Sequence, residues 1–331
     1  MKKLAVLAVI ATAASVNAGE LTLKGRLDYT NLETKSQGST TTTGEYSIDN
    51  LRLGGKGKIN DTLTGKFSLD LTDSKEQTEV AGVSEFVDMA QLTKTLGNGF
   101  SLTFGKQYAL VSGYENSSVS RDLYSVSVFN DNTPNNLVGA TLEYEVAGQT
   151  FALQHLEGTT TNLKDKKVVG ATWYGNFMDG MVKPTASYHK AGTDVSGKYD
   201  VFTTVAAQVN YSQVVFELDY LMLTQEQATT DKELTSIVAH VRYNHEMYKP
   251  FFKFIKEDGE GSFSMATNVN ANETERTAME LGLEIVPNKD EDFRYHVVYS
   301  TSEKKNSTGA ENKIEETSIV AGLAFGMDLL K

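Results

Sequence analysis

Apolar and polar residues alternate along most of this chain with a period of two. In residues 21–30, LTLKGRLDYT, leucines occupy one set of alternate positions, while Lys24, Arg26 and Asp28 occupy the other. Successive side chains of a β-strand point to opposite faces, so this period is typical of a strand with one apolar and one polar face. The pattern recurs in segment after segment and predicts an all-β chain.

Sixteen such segments can be counted, and the connections between them fall into two classes. Short turns such as 97–99, Gly-Asn-Gly, alternate with longer polar stretches. An even strand count with short turns at one end and long loops at the other is typical of an antiparallel up-and-down β-barrel that spans a membrane. The bilayer core cannot satisfy a free strand edge, so the first strand is expected to pair with the sixteenth.

A soluble β-sandwich is the alternative fold, since it would bury the same apolar faces in a protein core. It gives no reason for the connections to be sorted by length. In the segments whose phase can be fixed, charged residues also fall almost entirely on the polar face, as expected when lipid lies outside the wall and water inside.

The longest interruption of the alternation is residues 111–136, VSGYENSSVSRDLYSVSVFNDNTPNN. We expect it to form the third long loop and to fold into the lumen, where it narrows the pore. Residues 33–44 and 73–84 are predicted to be polar loops. In the fourth strand, residues 86–96, two competing apolar patterns leave the register open.

The first 18 residues carry the pattern of a cleaved secretory signal peptide: two lysines, an apolar run and a small residue, Ala18, at the end. An uncleaved anchor is disfavoured because the apolar run is too short to span a bilayer. Residues 19–331 then form the barrel domain. Without Lys2 and Lys3 the net charge changes from −12 to −14, which argues against a nucleic-acid partner. The chain has no cysteine.

The segments LRLGGKGKI (51–59), LTGKFSLDL (63–71) and LGNGFSLTFGKQY (96–108) resemble the porins of Gram-negative outer membranes. The resemblance implies an outer-membrane location and a homotrimer of water-filled barrels embedded in lipid, through which ions and small hydrophilic solutes diffuse passively. It also implies a third loop folded inward, with acidic residues that face basic residues on the wall.

Carried onto this sequence, the resemblance predicts a pore constriction with Arg26, Arg52 and Lys66 on the wall and Glu115 and Asp122 on the loop. Opposed charges across a narrow waist would order water and dipolar solutes. The chain departs from the family in ending MDLLK rather than in an aromatic residue. Its loop also lacks the Pro-Glu-Phe-Gly-Gly stretch of enteric porins.

Other functions remain open at this stage. A substrate-selective channel of the phosphate or sugar type fits the same fold, as does a structural or adhesive barrel without conductance. Enzymatic activity is not expected, because no nucleophile motif or suitably spaced histidine pair is present. No cofactor and no metal site are predicted. The overall acidity favours a slight preference for cations.

Overall fold

The computed structural model describes residues 19–36, 38–72, 87–117, 122, 124–135, 137–158, 167–193, 197–227, 231–260, 273–306 and 313–330. The predicted signal peptide, the predicted loop at 73–84 and Lys331 lie outside these residues. Among the described residues, no helix is both long and apolar enough to cross a membrane.

Sixteen antiparallel strands form one closed barrel, in which each strand pairs with its neighbours in sequence. The strands are β1 Glu20–Ser36, β2 Ser39–Asn60, β3 Leu63–Asp70, β4 Val87–Gly97, β5 Phe100–Gln107, β6 Leu137–Val146, β7 Gln149–Glu157, β8 Lys167–Tyr174, β9 Val182–Gly192, β10 Tyr199–Tyr211, β11 Val214–Gln225, β12 Lys232–Tyr243, β13 Tyr248–Glu260, β14 Glu273–Ile285, β15 Asp292–Asn306 and β16 Lys313–Leu330.

The barrel closes where β1 pairs with β16, from Leu21 opposite Leu330 to Ser36 opposite Ile314. This pairing leaves no free sheet edge between the first and the last strand, as a membrane-spanning sheet requires. The predicted count of sixteen strands and the predicted closure are both confirmed. Within the described residues, two short helices interrupt the β-structure, α1 (Tyr114–Ser117) and α2 (Val128–Asp131), and one 3₁₀ turn spans Met178–Gly180.

The short turns have the backbone conformation that tight hairpins demand. Asn98 and Gly99 join β4 to β5 with φ angles of 51° and 81°, the left-handed region that a type I′ turn needs at both positions. A Cβ atom at Gly99 would lie 2.2 Å from the carbonyl oxygen of Glu145 on β6. Glycine is therefore required there both by its backbone conformation and by the close approach of the next strand.

The predicted loop at residues 33–44 is wrong. β1 and β2 continue through this stretch as a paired hairpin, with Ser36 opposite Ser39. The threonines that make the stretch polar, Thr40 to Thr43, are also good strand formers, because their branched side chains suit an extended backbone. The hairpin therefore rises well above the neighbouring strand β3, whose pairing with β2 ends at Asp70 opposite Arg52.

A register shift between Ser68 and Leu69 of β3 resolves the ambiguity of the fourth strand. Leu69 pairs with Val87 and Ser68 pairs with Met89, so that Asp88 is an extra residue in β4. Such a β-bulge changes the phase of the alternation. Val87 therefore shares the outer face with Ala90 and Leu92, whereas Met89 lies on the inner face opposite Ser68.

Burial alternates along the strands, most regularly from β7 to β15. In β7, for example, Phe151 and Leu153 are exposed on the outer face of the barrel, whereas Ala152 and Gln154 are buried on the inner face. Inner-face residues are buried because loop 3, the segment 108–136 between β5 and β6, fills that side of the lumen. The prediction that the third loop folds inward is confirmed.

Candidate functional site

Loop 3 follows the inner wall from β7 round to β15. Near its start, the amide of Leu110 donates to Gln154 on β7, and the Leu110 carbonyl accepts from Thr172 on β8. The amide of Ser112 then donates to the hydroxyl of Ser187 on β9. The loop is thus fixed to successive strands rather than hanging free across the lumen.

Asp219 on β11 holds the first helix of the loop. Its two carboxylate oxygens accept the backbone N–H groups of Tyr114 and Glu115 at 2.9 and 2.8 Å. These N–H groups begin α1 and have no partner within the helix, which a carboxylate can supply. The Tyr114 hydroxyl donates to the carbonyl of Lys183. Burial raises the pKa of Tyr114 to about 12, so the phenol keeps the proton that it donates.

A second set of buried contacts holds the loop around α2. Lys253 on β13 lies 2.7 Å from the carboxylate of Glu115, which also accepts from the amide and hydroxyl of Ser127. Glu257 on β13 accepts the amide of Val128 at 2.7 Å and pairs with Arg276 on β14 at 3.0 Å. Because each of these charges has a partner, their burial is tolerated.

Apolar packing secures the same part of the loop. Phe129 of α2 is fully buried, and its ring meets that of Phe202 on β10 edge to face, with centroids 5.6 Å apart. These residues belong to one buried cluster between loop and wall: Ala109, Val111, Val128, Phe129, Leu137, Leu156, Val168, Ala191, Phe202, Leu221, Leu223, Leu234, Val238, Ile255 and Ala278. The inner wall from β6 to β14 is therefore partly a hydrophobic core rather than a wet surface.

The tip of loop 3, which we define as Asp122 together with residues 124–125, contacts the inner wall at β14, β15 and β1, across the lumen from β7, where the loop begins. Arg294 on β15 pairs with Asp122 and lies 3.1 Å from the carboxylate of Glu284 on β14. The Tyr124 ring lies 4.9 Å below the guanidinium of Arg26 on β1. Burial raises the pKa of Tyr124 above its usual value.

The wall formed by β1 to β4 carries a belt of ion pairs. Arg26 contacts Asp49 and lies 2.8 Å from Asp28, which in turn lies 2.8 Å from the imidazole of His296 on β15. On the adjacent strands, Arg52 lies 3.5 Å from Asp70 and 3.2 Å from Asp88. Each arginine is thus flanked by two carboxylates of the wall itself.

Of the predicted constriction residues, Arg26, Arg52 and Lys66 lie on inner-face positions of β1 to β3. Asp122 lies at the loop tip but pairs with Arg294 rather than with any of these three. Glu115 is only 4% exposed and faces β13, where it binds Lys253. The sequence placed Glu115 in the right loop but could not show which way its side chain points.

Sequence reasoning missed Tyr124 and the apolar inner face. A signal for the latter was present: residues 220–223 of β11, Tyr-Leu-Met-Leu, break the alternation with four apolar residues in a row. Such a run is typical of a strand that is covered on both faces. Leu221 and Leu223 are indeed buried on the inner face, and Tyr220 and Met222 are exposed on the outer face.

Among the described residues, no group of three or more His, Asp or Glu side chains is arranged to hold a metal ion. In the loop, Asp131 ends α2.

Comparison with solved structures shows the same fold in several outer-membrane proteins. The outer-membrane channel DcaP of Acinetobacter baumannii has a TM-score of 0.66 at 13% identity, over 93% of this chain and 97% of that one. OmpF of Salmonella typhi, in complex with daunomycin, has a TM-score of 0.63 at 14% identity, over the same shares. The trimer form of OmpT of Vibrio cholerae has a TM-score of 0.62 at 14% identity, over 93% of this chain and 100% of that one.

No curated protein sequence matches the chain. A family model does match, over residues 20–250, and its description is phosphate-selective porin O and P. The match covers more than half of the chain and runs from the first strand into the thirteenth. The chain therefore belongs to this porin family, and its sixteen-stranded barrel is a channel of the bacterial outer membrane.

Proposed function

We propose that the barrel conducts ions and small hydrophilic solutes passively, without catalysis and with weak selectivity, through the space between loop 3 and the wall from β1 to β5. The observation that carries this proposal is the difference between the two sides of the lumen. Inner-face residues from β7 to β14 are mostly buried under loop 3, whereas Lys56 and Lys66 on β2 and β3 are exposed. Water and solutes therefore have access along β2 and β3, where these two lysines lie.

Within this passage, Arg26, Arg52 and Lys66 form the wall side of the constriction and Asp122 forms the loop side. Glu115 contributes as a buried anchor that fixes the loop. The weak selectivity follows from the ion pairs, because Arg26 and Arg52 each lie next to two carboxylates. A neutralised pair attracts neither cations nor anions strongly at a Debye length of about 8 Å.

Phosphate selectivity is the second candidate, and the family description is one observation in its favour. The other is a group of three lysines on inner-face positions of β1 to β3, Lys24, Lys56 and Lys66. Within the described part of the chain, no carboxylate oxygen lies within 4 Å, the limit for an ion pair, of the Nζ atom of any of these three lysines. Lys56 and Lys66 are also direct cross-strand neighbours. Like charges side by side are unfavourable unless an anion lies between them.

One bilayer experiment separates these candidates. Single channels of the refolded protein are measured in a potassium chloride gradient, and phosphate is then added to one side. A general channel shows ohmic steps, a small reversal potential and no block by phosphate. A phosphate-selective channel shows an anion-favouring potential and block by phosphate, which the double variant K56Q/K66Q abolishes. A correctly folded barrel without conductance contradicts both candidates. The remaining interpretation is then a structural or adhesive barrel.

We further propose that the protein is a homotrimer whose subunits meet through the outer face of β2 to β5. Two of the four strands on this face, β3 and β5, have eight residues each, short of the roughly 9 to 11 that a tilted strand needs to cross the hydrocarbon core, and elsewhere among the described strands only β8 is as short. Lys106 lies on the outer face of β5 between Ala90 and Val138. A lysine facing lipid at mid-depth costs about 2–4 kcal/mol.

The same face carries a groove of about 600 Å³, whose floor includes Gly55, Gly57 and Gly65. A depression of this size between Phe67 and Phe104 suits the side chains of a second copy. OmpT of V. cholerae, which shares the fold, has a trimer form. Mass measurement in detergent tests the proposal: the wild type is expected to be trimeric, and G65W, whose side chain enters the groove from a position with room for a Cβ atom, is expected to be monomeric. A trimer that survives this filling would contradict the assigned face.

A further inference from the structure

A cavity of about 250 Å³ lies between loop 3 and the inner wall of β11 to β14. Glu115, Ser117 and Asp122 of the loop line one side. The wall side is lined by Glu217, Asp219, Val238, His240, Arg242, Phe251, Lys253, Glu280 and Glu284. Six of the lining groups are carboxylates, and only Arg242 and Lys253 among them are permanently cationic, so the chamber is strongly acidic.

The tip of loop 3 forms one boundary of this chamber. Asp122 and Glu284 both line it, and Arg294 joins them, in contact with Asp122 and 3.1 Å from Glu284. The Tyr124 hydroxyl lies 3.5 Å from the same Glu284 carboxylate, and Ser125 donates to Glu280 at 2.6 Å. These contacts tie the loop tip to β14 and β15. Arg26 on β1 also lies against the tip, with its guanidinium over the Tyr124 ring.

The tip is held differently from the rest of the loop. Val111 and Phe129 lie in the apolar cluster under loop 3, but neither Asp122 nor Tyr124 belongs to it. Polar contacts beside water contribute little stability each, typically about 0–1 kcal/mol for an ion pair that water reaches. The Asp122 side chain is 30% exposed and that of Arg294 is 12% exposed, so water reaches this pair from the Asp122 side. The tip is also held by the Tyr124 ring, which packs on the rings of Phe251 and His296, and by the Ser125 carbonyl, which accepts from Lys253.

Arg294 faces two carboxylates at this boundary, Asp122 of the loop and Glu284 of the wall. Lys253 lies deeper, 2.7 Å from Glu115. Arg242 lines the chamber on β12, but among the described residues it forms no ion pair. Removing either arginine takes one positive charge from the chamber or its boundary, but of these two arginines only Arg294 connects the wall to the loop.

We infer that the tip of loop 3 is a partition between the main passage and an acid-lined side chamber, and that Arg294 is the residue that determines specificity by keeping this partition closed. This inference rests on the proposed channel function. With the partition closed, solutes meet the neutralised belt around Arg26 and Arg52. With it open, they also meet the carboxylates of the chamber, and the lumen becomes wider and more selective for cations.

The test compares R294Q and D122N, which each break the partition, with R242Q as the matched control. R294Q and R242Q each remove one positive charge, the first at the boundary of the chamber and the second from its lining, but R242Q leaves the loop contacts intact. The readouts are single-channel conductance and reversal potential in a potassium chloride gradient. We expect R294Q and D122N to raise conductance. R294Q is expected to shift the potential furthest toward cations, while R242Q, in which the partition stays closed, is expected to leave both potential and conductance near the wild-type values.

A second readout does not depend on conductance. Val238 lines the chamber and is 3% exposed, and the chain has no native cysteine. In V238C, a cationic thiol reagent is expected to react slowly, and adding R294Q is expected to accelerate the reaction, whereas R242Q is not.

Conductance and labelling that remain unchanged in both R294Q and D122N would overturn the partition. A wild-type barrel without conductance would instead contradict the proposed function, and the labelling rates would still decide whether the partition exists.

Discussion

Phe129 is the residue whose removal tests most clearly how loop 3 is held. Its side chain is fully buried between the loop and β10, where it meets Phe202. Truncating a buried phenylalanine to alanine costs about 3–5 kcal/mol, from lost apolar contact and from the cavity that remains. Since the lost contacts join loop to wall, F129A is expected to weaken docking of the loop rather than the barrel.

This loss of free energy converts directly into a population. Every 1.4 kcal/mol is about a tenfold change, so the undocked fraction is expected to rise about a hundredfold to a few thousandfold. Hydrogen exchange measures it, because the amides of Asp131 and Asn132 are bonded within the loop to Ser127 and Val128. Their exchange is expected to accelerate by the same factor when the loop opens locally.

F151A is the matched control. Phe151 is on the outer face of β7 and 47% exposed, where lipid or detergent replaces the lost contacts. We expect it to leave exchange in loop 3 unchanged. Equal exchange in F129A and F151A would refute the conclusion that apolar packing inside the lumen holds the loop.

Two further substitutions test single positions. G99A is expected to lower folding stability by at least about 1–2 kcal/mol, the cost of a left-handed backbone for a residue with a Cβ atom; a denaturant midpoint equal to that of the wild type would contradict the close approach of Glu145. D219N is expected to leave one of the amides of Tyr114 and Glu115 unpaired, at about 1–3 kcal/mol. Faster exchange of these two amides measures the effect, and unchanged exchange would contradict the anchoring role of Asp219.

The architecture was predictable because alternation and connection length are local properties of the sequence. Strand number, barrel closure and the inward third loop all follow from them. The hairpin at residues 33–44 was missed because threonine and glycine suit both loops and paired strands, and only the long register with β1 decides between them. The bulge at Asp88 likewise appears in the sequence only as two conflicting patterns.

The candidate site was less predictable, because it depends on contacts between residues far apart in the chain. Glu115 binds Lys253, and Asp122 binds Arg294, more than a hundred residues away in each case. No local pattern indicates which carboxylate of a polar loop meets which arginine of a wall. The apolar run in β11 was the one local sign that part of the lumen is filled by protein.

The most direct test of the account is to locate the water-filled passage by cysteine labelling. Single cysteines are placed at Lys66, which is exposed on β3, and at Val168, which is fully buried under loop 3 on β8. Each variant is treated with a bulky water-soluble thiol reagent while its current is recorded in a planar bilayer. The account predicts rapid block of K66C and no effect on V168C. Block of V168C with an unaffected K66C would contradict it and place the passage on the other side of loop 3.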